Sequence, residues 1–124
     1  MKTKLIAVLI ISLLICGCAM TPTMLQEEQA DYGNYPNNYE DIAKRWRKEG
    51  FYDPYSVRDL KISIPVKSWV QMGKTEYGYL IYVTCNAKNR MGGYVGMETF
   101  LLLIHNGAVV RGWNEKTTWI KYKR

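Results

Sequence analysis

The spacing of apolar residues predicts one amphipathic helix in the first half of the chain. Between Asn37 and Gly50, apolar residues recur three or four positions apart, which places them on one helix face. Asn37 or Asn38 is suited to begin the helix because an Asn side chain accepts a backbone N–H, and Gly50 is suited to end it. The predicted inner face consists of Tyr39, Ile42, Ala43 and Trp46.

Farther along, apolar and polar residues alternate with a period of two, which is typical of β-strands. Residues 76–86 are apolar on both faces and should form a central strand, and Asn106-Gly107 fits the type I′ turn of a hairpin. The segment 68–72 is either a separate strand or a continuation after a kink at Pro65. The fold is therefore predicted as α+β, with one N-terminal helix packed on a four- to five-stranded antiparallel sheet. The predicted strands are 57–65, 68–72, 76–86, the hairpin 97–113, and one within 115–124.

Residues 19–36 precede these elements and follow neither period. They contain Pro22, Gly33 and Pro36, a composition typical of a flexible linker. The chain that follows shows no internal repeat and is of a length that supports one domain. We therefore expect a flexible tether at 18–36 and a single α+β domain at 37–124.

The first 17 residues have the pattern of a secretory signal. Lys2 and Lys4 precede an apolar run from Leu5 to Ile15, which is interrupted only by Ser12. A membrane-spanning helix needs about 20 apolar residues, so this run is too short to span. It has the proportions of a signal-peptide core, which is about 7–15 residues long.

The run ends in Ile15-Cys16-Gly17-Cys18, which resembles the lipobox of bacterial lipoproteins. The resemblance implies cleavage after Gly17, so that residues 1–17 are the signal peptide and Cys18 becomes the acylated first residue. Cys16 is the poorer candidate, because the branched Ile15 would then stand next to the cut.

The resemblance to a lipobox implies a protein that is anchored to a membrane by acyl chains. Cys18 would carry a diacylglyceryl thioether and, in Gram-negative bacteria, a third acyl chain such as palmitate on its amino group. Two or more acyl chains hold a protein firmly to a bilayer, whereas one holds it marginally. Residue 19 is Ala rather than Asp, which favours the outer membrane under the enteric sorting rule.

Four stretches of the remaining chain together resemble a group of small Gram-negative envelope lipoproteins. The resemblance covers most of residues 35–110 and supports a single periplasmic domain. It includes no catalytic signature and implies no activity. The stretches are "NNYEDIAKRW", "FYDPYSVRDLKISIP", "YGYLIYVTCNAKN" and "GGYVG".

Composition limits how this domain can be stabilised and what it can bind. With Cys18 alkylated, Cys85 has no partner, so the mature chain cannot form an internal disulfide and must depend on its hydrophobic core. The 10 Tyr and 4 Trp of the sequence can supply that core. The sequence pI is near 9.2, yet the envelope location argues against a nucleic-acid partner.

Catalytic residues are scarce. His105 is the one histidine, and no Cys, His, Asp and Glu residues have the spacing of a metal site, so neither a metal nor a cofactor is predicted. Cys85, His105 and Asn86 could in principle form a thiol site. However, Cys85 lies on the apolar face of a strand and should be buried, while His105 stands beside a tight turn and should face solvent.

Two candidate binding regions remain. The connection between the two most apolar strands is longer and more polar than a hairpin needs, and its candidate binding residues are Asn86, Lys88, Asn89, Arg90 and Tyr94. A plain connection, in which Asn and Gly adopt left-handed conformations, explains the same residues. Near the C-terminus, Lys121, Lys123 and Arg124 are a candidate contact for an anionic component.

The sequence thus predicts a non-enzymatic outer-membrane lipoprotein, anchored through Cys18, whose periplasmic domain binds another envelope component. A protein is the first candidate partner. An anionic envelope polymer or lipid is the second, and a small envelope enzyme that uses Cys85 is the third.

Overall fold

The computed structural model describes residues 21–116 and 120–124. The predicted signal peptide, the predicted lipidation site Cys18, and residues 117–119 of the predicted C-terminal strand lie outside the described residues. The described part is α+β with an antiparallel sheet, as predicted. Its elements are α1 (Met24–Gln29), α2 (Tyr39–Gly50), a 3₁₀ turn (Pro54–Ser56), β1 (Arg58–Ile62), β2 (Val66–Met72), β3 (Lys74–Lys88), β4 (Tyr94–His105), β5 (Ala108–Asn114) and β6 (Lys121–Tyr122).

The long strand β3 organises the sheet. The strand order is β5-β4-β3-β2-β6, and β1 also pairs with β3. β2 pairs with the first half of β3 and β1 with the second half, so the two short strands lie along the same edge. The buried Pro65 stands between them, and because proline lacks an N–H it separates the segment into two strands.

Two details of the predicted architecture need correction. The sheet has six strands rather than four to five. The predicted helix, α2, packs on the sheet but is not N-terminal, because α1 precedes it among the described residues. α1 has only six residues and buries none of them, so it has no apolar periodicity to reveal it in the sequence.

The sheet curves strongly, so that its two edges approach each other. β5 and β6 stand at opposite ends of the strand order, yet the rings of Trp113 and Tyr122 are 5.6 Å apart between centroids. Gly78 lets β3 approach β4 closely, because a Cβ at that position would lie 2.5 Å from the carbonyl oxygen of Ile104.

Each face of the curved sheet carries its own apolar cluster. The concave face holds a cluster that joins β2, β3, β4 and β5. The convex face packs against α2 through Ile42 and Ala43. Both faces of β3 and β4 are therefore buried, which confirms the prediction of a central strand at 76–86. The concave cluster is Val70, Leu80, Leu101, Leu103 and Trp113, and the convex strand residues are Ile81, Val83, Leu102 and Ile104.

The segment 23–36, predicted as part of a flexible tether, is docked on the sheet. α1 begins with a capping box at Thr23, and the Trp69 indole donates a hydrogen bond of 2.8 Å to Glu27. Beyond the helix, Tyr32 packs edge-on against Tyr77 at 5.6 Å. Pro36 is buried. The expectation that this segment lacks structure is therefore wrong for residues 23–36, whereas the domain boundary at residue 37 stays a prediction.

The ends of the elements agree with the predictions in part. Asn106 and Gly107 have φ values of 49° and 80°, as the predicted hairpin turn requires. Asn38 precedes α2, but its side chain makes no capping hydrogen bond. Among the residues described, no helix is long and apolar enough to cross a membrane.

Candidate functional site

A groove of about 470 Å³ opens at the end of the molecule where β3 runs into the predicted binding loop. Four parts of the chain form its walls: the end of α2 with the residues that follow it, the end of β3, the first half of β4, and the end of β5. We call this cavity the loop groove.

Three aromatic rings in mutual contact form an apolar wall of the loop groove. The ring centroids of Trp46 and Phe51 are 5.8 Å apart, those of Trp46 and Phe100 are 5.6 Å apart, and those of Phe51 and Phe100 are 5.1 Å apart. Trp46 also lies over Gly112 of β5, where a Cβ would come within 3.0 Å of the indole Nε1. Glycine at this position therefore lets the indole approach the strand closely.

The rim of the loop groove is more polar and more accessible than this wall. Asn114 donates a hydrogen bond of 3.3 Å to Glu98 on the neighbouring strand, and both residues line the groove. Tyr52 and Val95 line it as well, with 71% and 49% of their surface exposed. An apolar cavity with a few polar groups at its edge is the usual form of a small recognition site.

Of the five predicted binding residues, Lys88 and Asn89 line the loop groove. Both asparagines of the set shape the loop itself. The Asn89 side chain accepts hydrogen bonds from the N–H groups of Met91 (3.0 Å) and Gly93 (3.1 Å). The Asn86 side chain accepts one from Gly96 (3.0 Å). These amides therefore hold the connection in one conformation. The left-handed conformations that a plain connection predicts occur at Gly92 and Gly96, but at neither Asn86 nor Asn89.

Tyr94 fastens the loop to the 3₁₀ turn. Its hydroxyl donates a hydrogen bond of 3.0 Å to the carbonyl of Ser56. The guanidinium of Arg58 lies 4.2 Å from the ring centroid and the ammonium of Lys88 lies 5.4 Å from it. Both cations are within the range of a cation–π contact. Arg90 is exposed and is not among the residues that line the groove.

The three C-terminal cations do not form one anion site. Lys123 makes an ion pair with Glu27 of α1, and this hydrogen bond raises the pKa of Lys123 and lowers that of Glu27. Arg124 lies 3.7 Å from Glu115. Lys121 is exposed and, within the described residues, makes no such ion pair. Two of the three charges are thus compensated by carboxylates of the same chain.

Cys85 is fully buried on the convex side of β3, as predicted, and forms no disulfide among the described residues. Burial raises the pKa of its thiol, an effect that nearby Arg47 opposes and Glu98 reinforces. A buried thiol whose pKa is raised is a poor nucleophile.

His105, predicted to face solvent, is instead half-buried. Its Nδ1 lies 3.0 Å from the carbonyl oxygen of Tyr77, and its Nε2 lies 3.7 Å from the Asp31 carboxylate. The docking of residues 23–36, unforeseen in the sequence, supplies Asp31 as the second partner. His105 thus joins this segment to the sheet, and it is not placed beside Cys85.

Residues 21–116 and 120–124 contain no group of three or more His, Cys, Asp or Glu side chains that could hold a metal ion. Comparisons with protein-family models, with curated proteins and with solved structures find no match for this chain.

Sequence patterns missed most of the loop groove because its wall comes from distant segments. Sequence periodicity predicts Trp46 only on the inner face of the helix and Phe100 only within the hairpin 97–113. Their meeting depends on the register in which Phe100 pairs with Val83 and Asn114. The unusual aromatic content was the one available signal.

Proposed function

We propose that this protein is a lipoprotein of the outer membrane, anchored through Cys18, whose periplasmic domain binds another envelope protein at the loop groove. The anchor is supported by the lipobox Ile15-Cys16-Gly17-Cys18 and by the apolar run before it. The binding role is carried by one observation, an open groove with a wall of three contacting aromatic rings.

The chemistry of the loop groove favours a protein side chain as its occupant. Aromatic residues are common at the energetic centre of protein interfaces, where they bury much area with few rotatable bonds. The partner would place an apolar or aromatic side chain against Trp46, Phe51 and Phe100. Lys88, Asn89 and Glu98 would then form a polar rim that fixes its orientation.

Charge does not favour an anionic polymer as the principal ligand. Glu98 lines the loop groove, and the Lys88 ammonium is already placed over the Tyr94 ring. At the C-terminus, Lys123 is paired with Glu27, and Arg124 lies near Glu115.

The test is crosslinking of the full chain in intact cells with formaldehyde, followed by identification of the adducts by mass spectrometry. Val95→Gln places a polar side chain at the groove and should lower the yield of the specific adduct at least fivefold. Val110→Gln is the matched control, because Val110 is also a strand valine (40% exposed, against 49% for Val95) and lies outside the groove.

The proposal predicts one dominant protein adduct that Val95→Gln reduces and Val110→Gln leaves unchanged. An adduct that both variants retain in full would place the contact elsewhere on the domain. Adducts with polysaccharide or lipid alone would favour the anionic component instead.

A further inference from the structure

The docking of residues 23–36 shortens the connection between the proposed anchor and the folded domain. As a flexible tether, residues 18–36 would reach about 60 Å when fully extended. With α1 docked, only the chain from Cys18 to Thr23 is left, and it spans at most about 17 Å. An acylated Cys18 lies at the lipid headgroups, so α1 must begin close to the membrane surface.

α1 is held on the domain by contacts of the helix itself and of the residues that follow it. Glu27 accepts the hydrogen bond from Trp69 and pairs with Lys123. After the helix, the N–H of Asn34 donates to the side chain of Asn106 at 2.9 Å, and Tyr35 packs against Tyr79 at 5.3 Å. Because α1 is fixed to the domain, the domain must also lie close to the membrane.

The surface that α1 presents outward is apolar at its first turn. Met24 is 82% exposed and Leu25 is 62% exposed, although both are large apolar residues. On the same side of the domain, Lys67 is exposed and lies 5.2 Å from the ring of Tyr32. Glu28 of α1 is negatively charged and offsets the positive charge of Lys67. Any attraction to lipid must therefore come mainly from apolar contact.

We infer that Met24 and Leu25 rest in the headgroup region of the membrane that holds Cys18, and that a phospholipid surface is their partner. This inference rests on the proposed anchor. An acyl anchor keeps α1 at a high local concentration beside the bilayer, so a contact too weak to bind the free domain becomes populated.

The same geometry sets the position of the loop groove. Tyr77, which contacts the docked segment, and Lys88, which lines the groove, are 11 residues apart on β3 and therefore about 36 Å apart along the strand. The groove thus lies at the end of β3 remote from α1.

The test uses the full acylated chain in phosphatidylethanolamine–phosphatidylglycerol vesicles. Leu25→Cys and, as its control, Met91→Cys each carry an environment-sensitive fluorophore; Met91 is an exposed apolar residue of the distant loop. The buried Cys85 does not compete for the label. The probe at 25 should shift to the blue and be quenched at least twofold by nitroxide-labelled lipid, while the probe at 91 should change little.

Each other outcome overturns a defined part of the account. Acylated Cys18 with a probe at 25 that remains in water would overturn the membrane contact alone. A shielded probe that lipid nitroxide does not quench would assign Met24 and Leu25 to a contact with a second copy of the chain. Mass spectrometry that finds Cys18 without acyl chains would overturn the anchor and this inference together.

Discussion

The rings of Trp113 and Tyr122 meet at 5.6 Å although they belong to strands at opposite ends of the sheet order. The contact closes the concave face over its apolar cluster, and the C-terminal strand is held in place by further bonds. The hydroxyl of Ser68 donates to the carbonyl of Lys123 at 2.7 Å, and the N–H of Lys123 donates to the carbonyl of Trp69 at 3.1 Å. The last residues are therefore part of the fold.

Tyr122→Ala should accordingly destabilise the domain by about 2 kcal/mol or more, since it removes a large ring from the apolar cluster together with an edge-on aromatic contact. Tyr55→Ala, at a position that is 84% exposed, is the matched control and should change the free energy of unfolding by less than about 0.5 kcal/mol. Urea unfolding of both variants measures the difference. Equal stabilities would contradict the closure of the sheet through this contact.

The docking of α1 should depend on pH through Glu27. The hydrogen bond from Lys123, and then that from Trp69, lowers the pKa of this carboxyl below its ordinary value of 4.5. A group whose pKa is lowered in the folded state contributes stability above its unfolded pKa and loses it as the pH falls through the folded value. The contribution should therefore be complete above about pH 4.5 and disappear below it.

The indole N–H resonance of Trp69 reports this transition by NMR. It should shift below about pH 4.5 in the wild type. The shift should be absent in Glu27→Gln, which keeps an acceptor for the indole but cannot titrate. Glu28→Gln, at the exposed neighbouring position, is the control and should titrate like the wild type. An unchanged titration in Glu27→Gln would mean that another group controls the docking.

The proposed lipobox predicts different outcomes for Cys16 and Cys18, which are two positions apart. Cys18→Ser should abolish acylation and leave the precursor uncleaved, because the lipoprotein peptidase requires the modified cysteine. Cys16→Ala should be processed as the wild type is. Mass spectrometry of the mature N-terminus checks both outcomes, and acyl chains on Cys16 would overturn the assignment.

Cys85 distinguishes a binding protein from a thiol enzyme. Because its pKa is raised by burial and its side chain is inaccessible, it should resist alkylation at neutral pH and react rapidly once denaturant is added. Cys85→Ala should cost about 1–2 kcal/mol of stability and keep partner binding. Rapid labelling of the native domain, or loss of function in a stable Cys85→Ala variant, would support the enzyme instead.

Local patterns were sufficient for the elements that depend on neighbouring residues. The face of α2, the turn at Asn106-Gly107 and the burial of Cys85 each follow from periodicity or turn chemistry within a few positions. The fold class followed from these elements, because one amphipathic helix and several alternating strands have few ways to bury their apolar faces.

Features that depend on distant contacts could not be predicted in this way. The hydrogen bond from Trp69 to Glu27 joins residues 42 positions apart, and that from Asn34 to Asn106 joins residues 72 apart. Residues 19–36 have the composition of a linker, and the residues that 23–36 contact are too distant in the sequence for a local pattern to reveal the docking. The sequence does not predict the loop groove for the same reason. Only Lys88 and Asn89 of its rim are among the predicted binding residues.

The most direct test of the proposed binding role places a photo-crosslinking phenylalanine analogue at Tyr52 or at Tyr55 in the full chain. Both tyrosines are largely exposed (71% and 84%) and lie three residues apart, but only Tyr52 lines the loop groove. After irradiation of intact cells, position 52 should yield a defined adduct with one envelope protein, and position 55 should yield little of it. An adduct of equal yield at both positions, or no protein adduct at position 52, would contradict the account.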